Sequence, residues 1–538
     1  MEGTKPHAAL LASPGMGHLI PVLELGKRLI THHGFQVTVF VVATEVSPAQ
    51  SLLLQQATTP HLPNLVSLPV VNDSILVDPE ASVLEQLLSM VRGSLPRLRS
   101  AISAMKVPPT VLIVDMFGLE AFKIANEFEM LKYVYITSNA WFLAFTAYLP
   151  VLDKLVETKC SDLQEPTRIP GCKPLWVEHV FEPVLDIKNE MYHAYMRMAV
   201  EITMADGVLV NTWENLEHPT LAAMRDDKLL GQIVKAPVYP VGPLTRPIEP
   251  TDSENGVLDW LGMQPSESVI YVSFGSGGTL SAKQTTELAW GLELSRQNFV
   301  WVIRPPMDDD AAAALFTSAD GRDGIAEYLP DGFLERTKKV GCVVPMWAPQ
   351  AQILGHPSVG GFITHCGWNS TLESMVNGVP MIAWPLYAEQ KMNAVMLTEE
   401  LGVAIRPNVF PTKGVVGREE IATMVRRLME ESEGNAIRAK VKELKYSAEK
   451  ALSKGGSSYT SLSHVVMDCQ MMSRSSQQPL DNRTSTNPPS PSLKGMHLTT
   501  VVAKVPYKGL LDYPNDKGSN SIYPIRMLER DTHDKRKA

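Results

Sequence analysis

Short apolar, strand-like runs alternate along this chain with helix-like segments, the pattern of βαβ units rather than of a repeat array. In the first half, strands are predicted over residues 8–12, 36–43, 65–69, 111–115, 133–137 and 207–211. The second half repeats the pattern with 269–274, 299–303, 341–345, 360–364 and 380–384. Between them, residues 235–250 carry five prolines (Pro237, Pro240, Pro243, Pro247, Pro250) and predict an extended linker. Residues 308–324 begin with three aspartates and four alanines and read as a surface loop. A last helix is predicted over 457–471. The segment after it, 473–538, starts Ser-, Pro- and Asn-rich and holds 11 Lys and Arg against 6 Asp and Glu. Such a segment buries too little apolar surface to offset its ordering entropy, which predicts a largely disordered tail.

Length and composition narrow the possibilities. A chain of 538 residues exceeds one core and suggests two or three domains. The net charge is −9 and the body lacks a basic stripe, which leaves nucleic acid little to hold. Five cysteines (Cys160, Cys172, Cys342, Cys366, Cys469) are scattered and never paired as C-x-x-C. That usage predicts reduced thiols and argues against a zinc site or a disulfide framework. No apolar run approaches the ~20 residues of a membrane span. The chain passes from Met1 to His7 straight into a strand, without the longer apolar core of a signal peptide, so a cytoplasmic protein is expected.

Candidate chemistry is concentrated in residues 347–390, WAPQAQILGHPSVGGFITHCGWNSTLESMVNGVPMIAWPLYAEQ. Ligands of open parallel α/β sheets sit beyond the carboxyl ends of the strands, so Trp347, Gln350, His365, Glu389 and Gln390 should converge there. The segment 369–373 should open a helix whose free N–H groups and dipole suit a diphosphate, with Gly367 allowing close approach. A flat Trp suits stacking on a base, and Glu373 can accept from both ribose hydroxyls. Each residue alone has a plainer reading: Asn369 or Ser370 capping a helix, or HCGWNS as a structural corner. In the first half, His18 lies in a Gly-rich loop after the first strand, Asp115 ends the strand 111–115, and Thr137 ends 133–137. All three should project from one sheet edge. With a reference pKa of ~6.5, His18 can accept a proton from an attacking phenol, and Asp115 can orient the imidazole and stabilise its cation. The plainer readings are a surface histidine and a helix-capping Asp. Ser13 and Thr137 are further candidates for sugar or phosphate contact. Phe117, Trp141, Phe142, Phe145, Tyr148 and Leu149 form an aromatic-rich set suited to a planar guest, with at least half expected to be core.

The 347–390 segment resembles the sugar-nucleotide box of the plant family 1 UDP-glycosyltransferases, and the likeness spans roughly residues 5–470. SPGMGHLIP at 13–21, VSFGSGGTLS at 272–281, FLERTKK at 333–339 and WPLYAEQKMNAV at 384–395 resemble the hydroquinone (arbutin-forming) and monolignol glucosyltransferase subgroup. The resemblance implies an α/β GT-B fold, two doubly wound Rossmann-like domains facing a cleft. Residues 1–245 would bind the acceptor and 246–472 the UDP-sugar, with the last helix packing back on the N-terminal domain. It implies that Trp347 stacks on uracil, that Gln350 lies beside base and ribose, and that Glu373 binds the ribose hydroxyls. Ser276, His365, Asn369 and Ser370 would hold the diphosphate; Trp368, Glu389 and Gln390 would hold the sugar. Family members often carry Asp where this chain has Glu389, and Gln390, where galactose users tend to carry His, favours glucose. The catalytic pair would be His18 and Asp115. The expected activity is inverting transfer from UDP-glucose to a small phenol by a monomer without a metal cofactor. Three other readings compete. A nicotinamide-dependent dehydrogenase is suggested by Gly15-Met16-Gly17 and Glu45, but Ile20 stands where the third glycine belongs. A catalytically silent UDP-sugar-binding protein would keep the fold alone. A glycosidase would need a carboxylate pair that has no independent support here.

Overall fold

The computed structural model describes residues 5–43, 64–69, 82–158, 166–186, 188–248, 256–307 and 325–476. The predicted loop at 308–324 and residues 477–538 of the predicted 473–538 tail lie outside these residues, while 473–476 continue the last helix. Thirteen strands build two wholly parallel sheets among the described residues. The first contains β1 (His7–Ala12), β2 (Gln36–Ala43), β3 (Asn64–Pro69), β4 (Val111–Asp115), β5 (Leu131–Ile136), β6 (Gly207–Val210) and β7 (Val238–Pro240), in the order β3-β2-β1-β4-β5-β6-β7. The second contains β8 (Val269–Ser273), β9 (Asn298–Ile303), β10 (Gly341–Pro345), β11 (Val359–Thr364), β12 (Met381–Ala383) and β13 (Ala404–Ile405), in the order β10-β9-β8-β11-β12-β13. β4, β8 and β11 are buried along their whole length, which is why they read as unbroken apolar runs.

Both orders turn outward from a central pair, β1 with β4 and β8 with β11. Successive strands run away from each pair in opposite directions, so a crevice opens beyond their carboxyl ends. This is the two-Rossmann GT-B architecture.

The sequence reading differs from the structure at two places. Within the proline-rich 235–250 segment, Val238–Pro240 pairs with β6 as the seventh strand. Pro240 is tolerated because β7 is an edge strand and needs no N–H on its open side. The side-chain amide of Asn211 then acts as a further rung, accepting from Leu244 N at 2.7 Å and donating to Leu244 O at 3.2 Å. The two-residue β13 was too short to register as a pattern. At the end of the described chain, the helix Ser457–Ser476 lies on the N-terminal half. Its Leu462, Val465 and Cys469 share a core with Leu19, Val39 and Ile113, and Tyr133 donates to Asp468 Oδ2 at 2.6 Å.

Candidate active site

The crevice of the first sheet holds a fixed carboxylate and a partly exposed imidazole. Asp115 ends β4 with no solvent exposure and accepts three hydrogen bonds. Ser13 gives it two, from its hydroxyl to Oδ1 at 2.5 Å and its backbone N–H to Oδ2 at 2.8 Å; Phe117 N–H gives the third, to Oδ1 at 3.1 Å. Such a carboxylate is locked in orientation. His18 leaves the β1 loop in the first turn of the helix Met16–His33 and brings Nδ1 to 3.4 Å from Asp115 Oδ2. Thr137, one residue past β5, places Oγ1 3.3 Å from the same Nδ1. With the proton on Nδ1, the lone pair is on Nε2, which has no protein partner among the described residues. The Phe117 ring stands 4.9 Å from the imidazole.

The crevice of the second sheet is lined by groups suited to a nucleotide. Trp347, just past β10, is 43% exposed and offers an open indole face. Gln350 is held by its neighbours: its amide donates to Ser370 Oγ at 2.9 Å and to Glu373 Oε2 at 2.7 Å, and its carbonyl accepts from Tyr271 at 3.4 Å. Burial pushes the Glu373 carboxyl up to about 7, with the Gln350 bond pulling the other way. His365, after β11, is buried, and burial lowers its pKa to about 4, so it stands neutral near pH 7. Its Nδ1 has no partner among the described residues. Glycines make room for this ring: a Cβ on Gly275 would approach it to 2.6 Å, and one on Gly367 would come within 2.3 Å of Nε2. The helix Trp368–Asn377 starts at Gly367 with no side-chain cap, so its first N–H groups stay open, with Asn369 and Ser370 in that turn. Ser276 lies exposed in the loop after β8, and its carbonyl accepts from Arg304.

The two crevices face each other and touch. Asn369 Nδ2 donates to Gly17 O at 3.0 Å, one residue from His18, while its Oδ1 is buried without a partner among the described residues. The Trp368 indole N–H donates to Asn211 O at 2.7 Å, so its side chain is buried against the first half. Gln390 is buried, and its Oε1 accepts from Leu386 N at 2.9 Å and Tyr387 N at 3.1 Å, which aims the amide. Glu389 Oε1 accepts from the Ser138 hydroxyl at 3.1 Å.

Residues 245–436 match the family described as UDP-glucoronosyl and UDP-glucosyl transferase. Anthocyanidin 3-O-glucosyltransferase 5 of Manihot esculenta is 55% identical over 460 residues, covering 86% of this chain and 94% of that protein. The hydroquinone glucosyltransferase of Rauvolfia serpentina is 45% identical over 476 residues, 87% of this chain and 98% of that protein. The crystal structure of TcCGT1 in complex with UDP superposes with a TM-score of 0.83 at 51% identity, over 87% of this chain and 100% of that one. The chain belongs to the plant family 1 UDP-glycosyltransferases. A UDP-sugar-dependent transferase therefore replaces the dehydrogenase and glycosidase alternatives.

Several features of this glycosyltransferase escaped the sequence. Of the six-residue aromatic-rich set, Trp141, Phe142, Phe145, Tyr148 and Leu149 are buried core, and only Phe117 is partly open, beside His18. Tyr271, Ser138, Asn139, Glu217 and Asn393 were not singled out. Glu217, 2% exposed, accepts from Ala140 N and Trp141 N at 3.0 Å each and so holds the start of the helix Ala140–Thr158. Asn139 before a long apolar helix carries a readable capping signal; the others are defined only by contacts far along the chain. Among the described residues, no helix is long and apolar enough to cross a membrane, and no cluster of three His, Cys, Asp or Glu is arranged to hold a metal.

Proposed function

We propose that this protein transfers glucose from UDP-glucose to the hydroxyl of a small phenol, inverting the anomeric centre to give a β-O-glucoside. The observation that carries this reading is the position of His18, braced through Nδ1 by Asp115 and Thr137, in the helix turn whose Gly17 carbonyl receives Asn369 from the open N-terminus of the helix Trp368–Asn377. A base and a diphosphate site on either side of one cleft suit displacement at a sugar carbon between them.

In this mechanism the uracil stacks on Trp347 and the ribose hydroxyls donate to Glu373. The diphosphate meets Ser276, neutral His365, Asn369, Ser370 and the open N–H groups after Gly367. Glucose lies toward Thr137, Trp368, Glu389 and Gln390. The phenol rests against Phe117 with its hydroxyl at His18 Nε2. Its oxygen attacks the anomeric carbon, the bond from that carbon to the β-phosphate oxygen breaks, and the phenolic proton passes to Nε2. Asp115 stabilises the imidazolium without taking the proton. Negative charge developing on the leaving diphosphate is met by groups already in place, so the reaction runs without a metal cofactor and a chelator leaves turnover unchanged.

The named relatives act on an anthocyanidin and on hydroquinone, both phenols; hydroquinone- or monolignol-sized acceptors are the proposed class. The free thiols at Cys172, Cys342, Cys366 and Cys469 are consistent with a cytosolic site of action. The test is incubation with UDP-glucose and a panel containing hydroquinone, a monolignol and an anthocyanidin, with products identified by mass spectrometry and anomeric configuration by NMR. Failure to consume UDP-glucose with any phenol, or an α-linked product, overturns the proposal.

A further inference from the structure

Three consecutive residues after β5 connect the base to the donor half. Thr137 contacts His18, Ser138 contacts Glu389, and Asn139 donates from Nδ2 to Asn393 Oδ1 at 2.6 Å. The last contact belongs to a longer relay. Asn139 Oδ1 accepts from Phe142 N at 2.8 Å, capping the helix Ala140–Thr158, while Asn393 Nδ2 donates to Cys366 O at 2.9 Å. Cys366 sits between His365 and Gly367 with φ +64°, a left-handed conformation uncommon outside glycine. Both amides are 1% exposed. A buried amide that loses its partner keeps its desolvation penalty, so the relay favours one relative placement of the two halves over neighbouring ones.

We propose that Asn139 and Asn393 are positioning residues that set the separation between His18 and the donor diphosphate turn by tying the helix start at Asn139 to the Cys366 carbonyl. The proposal rests on the glucosyl-transfer reading for its kinetic consequence, but not for its structural one. Both residues act through others: Asn139 through Thr137 and His18, Asn393 through the backbone of the turn that carries His365. Glu217 also secures this helix start, with two backbone bonds of its own, so helix capping and inter-half bridging are separable functions.

Asn139→Ser separates them. A serine at an N-cap still accepts from the third helical N–H, as Asn139 does from Phe142, but is too short to reach Asn393. Asn393→Ala breaks the relay from the other side. Both full-length variants are compared with the wild type for UDP affinity by calorimetry, for kcat and KM with UDP-glucose and a phenol, and for thermal midpoint. Spin labels placed through Lys123→Cys and Glu430→Cys read the distance distribution between the halves. Each variant should fold and bind UDP within about twofold of wild type. Each should lose on the order of 10- to 100-fold in kcat, as ångström-scale misplacement of reacting groups produces. The distance distribution should broaden, and the double variant should be no slower than the worse single one. Wild-type kcat together with a wild-type distance distribution in Asn139→Ser overturns the proposal. If Asn139→Ser fails to fold, Asn393→Ala, which leaves the cap in place, decides it by the same readings. If no phenol is glucosylated even by the wild type, the functional reading fails, while the distance distribution still decides the positioning role.

Discussion

With Glu373 in its proposed role at the ribose, donor binding should strengthen as pH rises through neutrality, because the carboxyl must ionise to accept from the hydroxyls. Burial lifts its carboxyl from 4.5 to about 7 in the free protein. A carboxylate accepts from two hydroxyls more strongly than a carboxylic acid, so UDP-glucose selects the ionised form. Affinity then falls by one plus the ratio of protonated to ionised Glu373. That ratio is about 10 at pH 6 and about 0.1 at pH 8, so UDP-glucose should bind roughly tenfold more tightly at pH 8 than at pH 6. Calorimetry with UDP-glucose, whose diphosphate does not titrate in this range, measures the effect directly. Glu373→Gln should bind more weakly and lose this slope. Equal wild-type affinity at the two pH values, or an undiminished slope in Glu373→Gln, would refute the reasoning. The stability of the unliganded protein carries the opposite sign. A carboxyl whose folded pKa lies above its unfolded value contributes stability that is fully present below 4.5 and is lost as pH rises through about 7. The whole shift is on the order of 3 kcal/mol. Glu217, raised by burial to about 7, acts in the same window and direction. Chemical denaturation should therefore show the unliganded protein weakening from pH 5 to pH 8, with UDP-glucose offsetting part of the loss at the alkaline end.

His18→Ala should lower turnover by about 10²- to 10⁴-fold while UDP-glucose still binds, with acidic phenols losing least and activity recovering as pH nears the phenol's own pKa; steady-state kinetics across a phenol series checks this. Asp115→Asn should also be slow, and the double variant little worse than His18→Ala alone. Trp347→Ala should weaken UDP binding by about 1–3 kcal/mol, the scale of a base–aromatic stack, and Trp347→Tyr should retain most of it, both read by calorimetry. Gly367→Ala should displace the His365 ring, because its Cβ would stand 2.3 Å from Nε2. The cost should be about 10- to 100-fold in UDP-glucose affinity, the range of one hydrogen bond to a charged group, with the fold intact by circular dichroism.

The strands were legible because a parallel sheet covered on both faces leaves little room for polar residues. Val111–Asp115 and Val359–Thr364 are buried at every position, so apolar runs alone located them. β7 was missed for a physical reason: prolines argue against a strand, yet an edge strand accepts them on its open side, and Pro240 sits there. In the aromatic-rich segment 141–149 the expected core majority is found, but the sequence could not say which rings would be core. The side chains there are the apolar payload of a helix that fills the core, and composition cannot distinguish a ring that packs against Phe181 from one that awaits a guest.

At the site, legibility followed distance along the chain. Trp347, Gln350, His365, Ser370 and Glu373 fall within one short stretch whose strand–turn–helix order already places them at one crevice. His18, Asp115 and Thr137 were accessible for a related reason: each follows or ends a strand of the same parallel sheet, and such ends share an edge. The contacts between the halves had no such guide. Ser138 and Glu389 are 251 residues apart, Asn139 and Asn393 are 254 apart, and nothing local to either member of a pair indicates its partner. Yet neither sheet alone brings a proton acceptor near a diphosphate site. In the proposed reaction each supplies one half of the chemistry at its own switch point, and the reacting distance depends on where the halves meet, at Gly17 with Asn369, Asn211 with Trp368, Ser138 with Glu389, and Asn139 with Asn393. Residue types can therefore reveal which groups take part in a transfer between two such domains, whereas the geometry that makes the transfer fast resides in the contacts that sequence patterns show least.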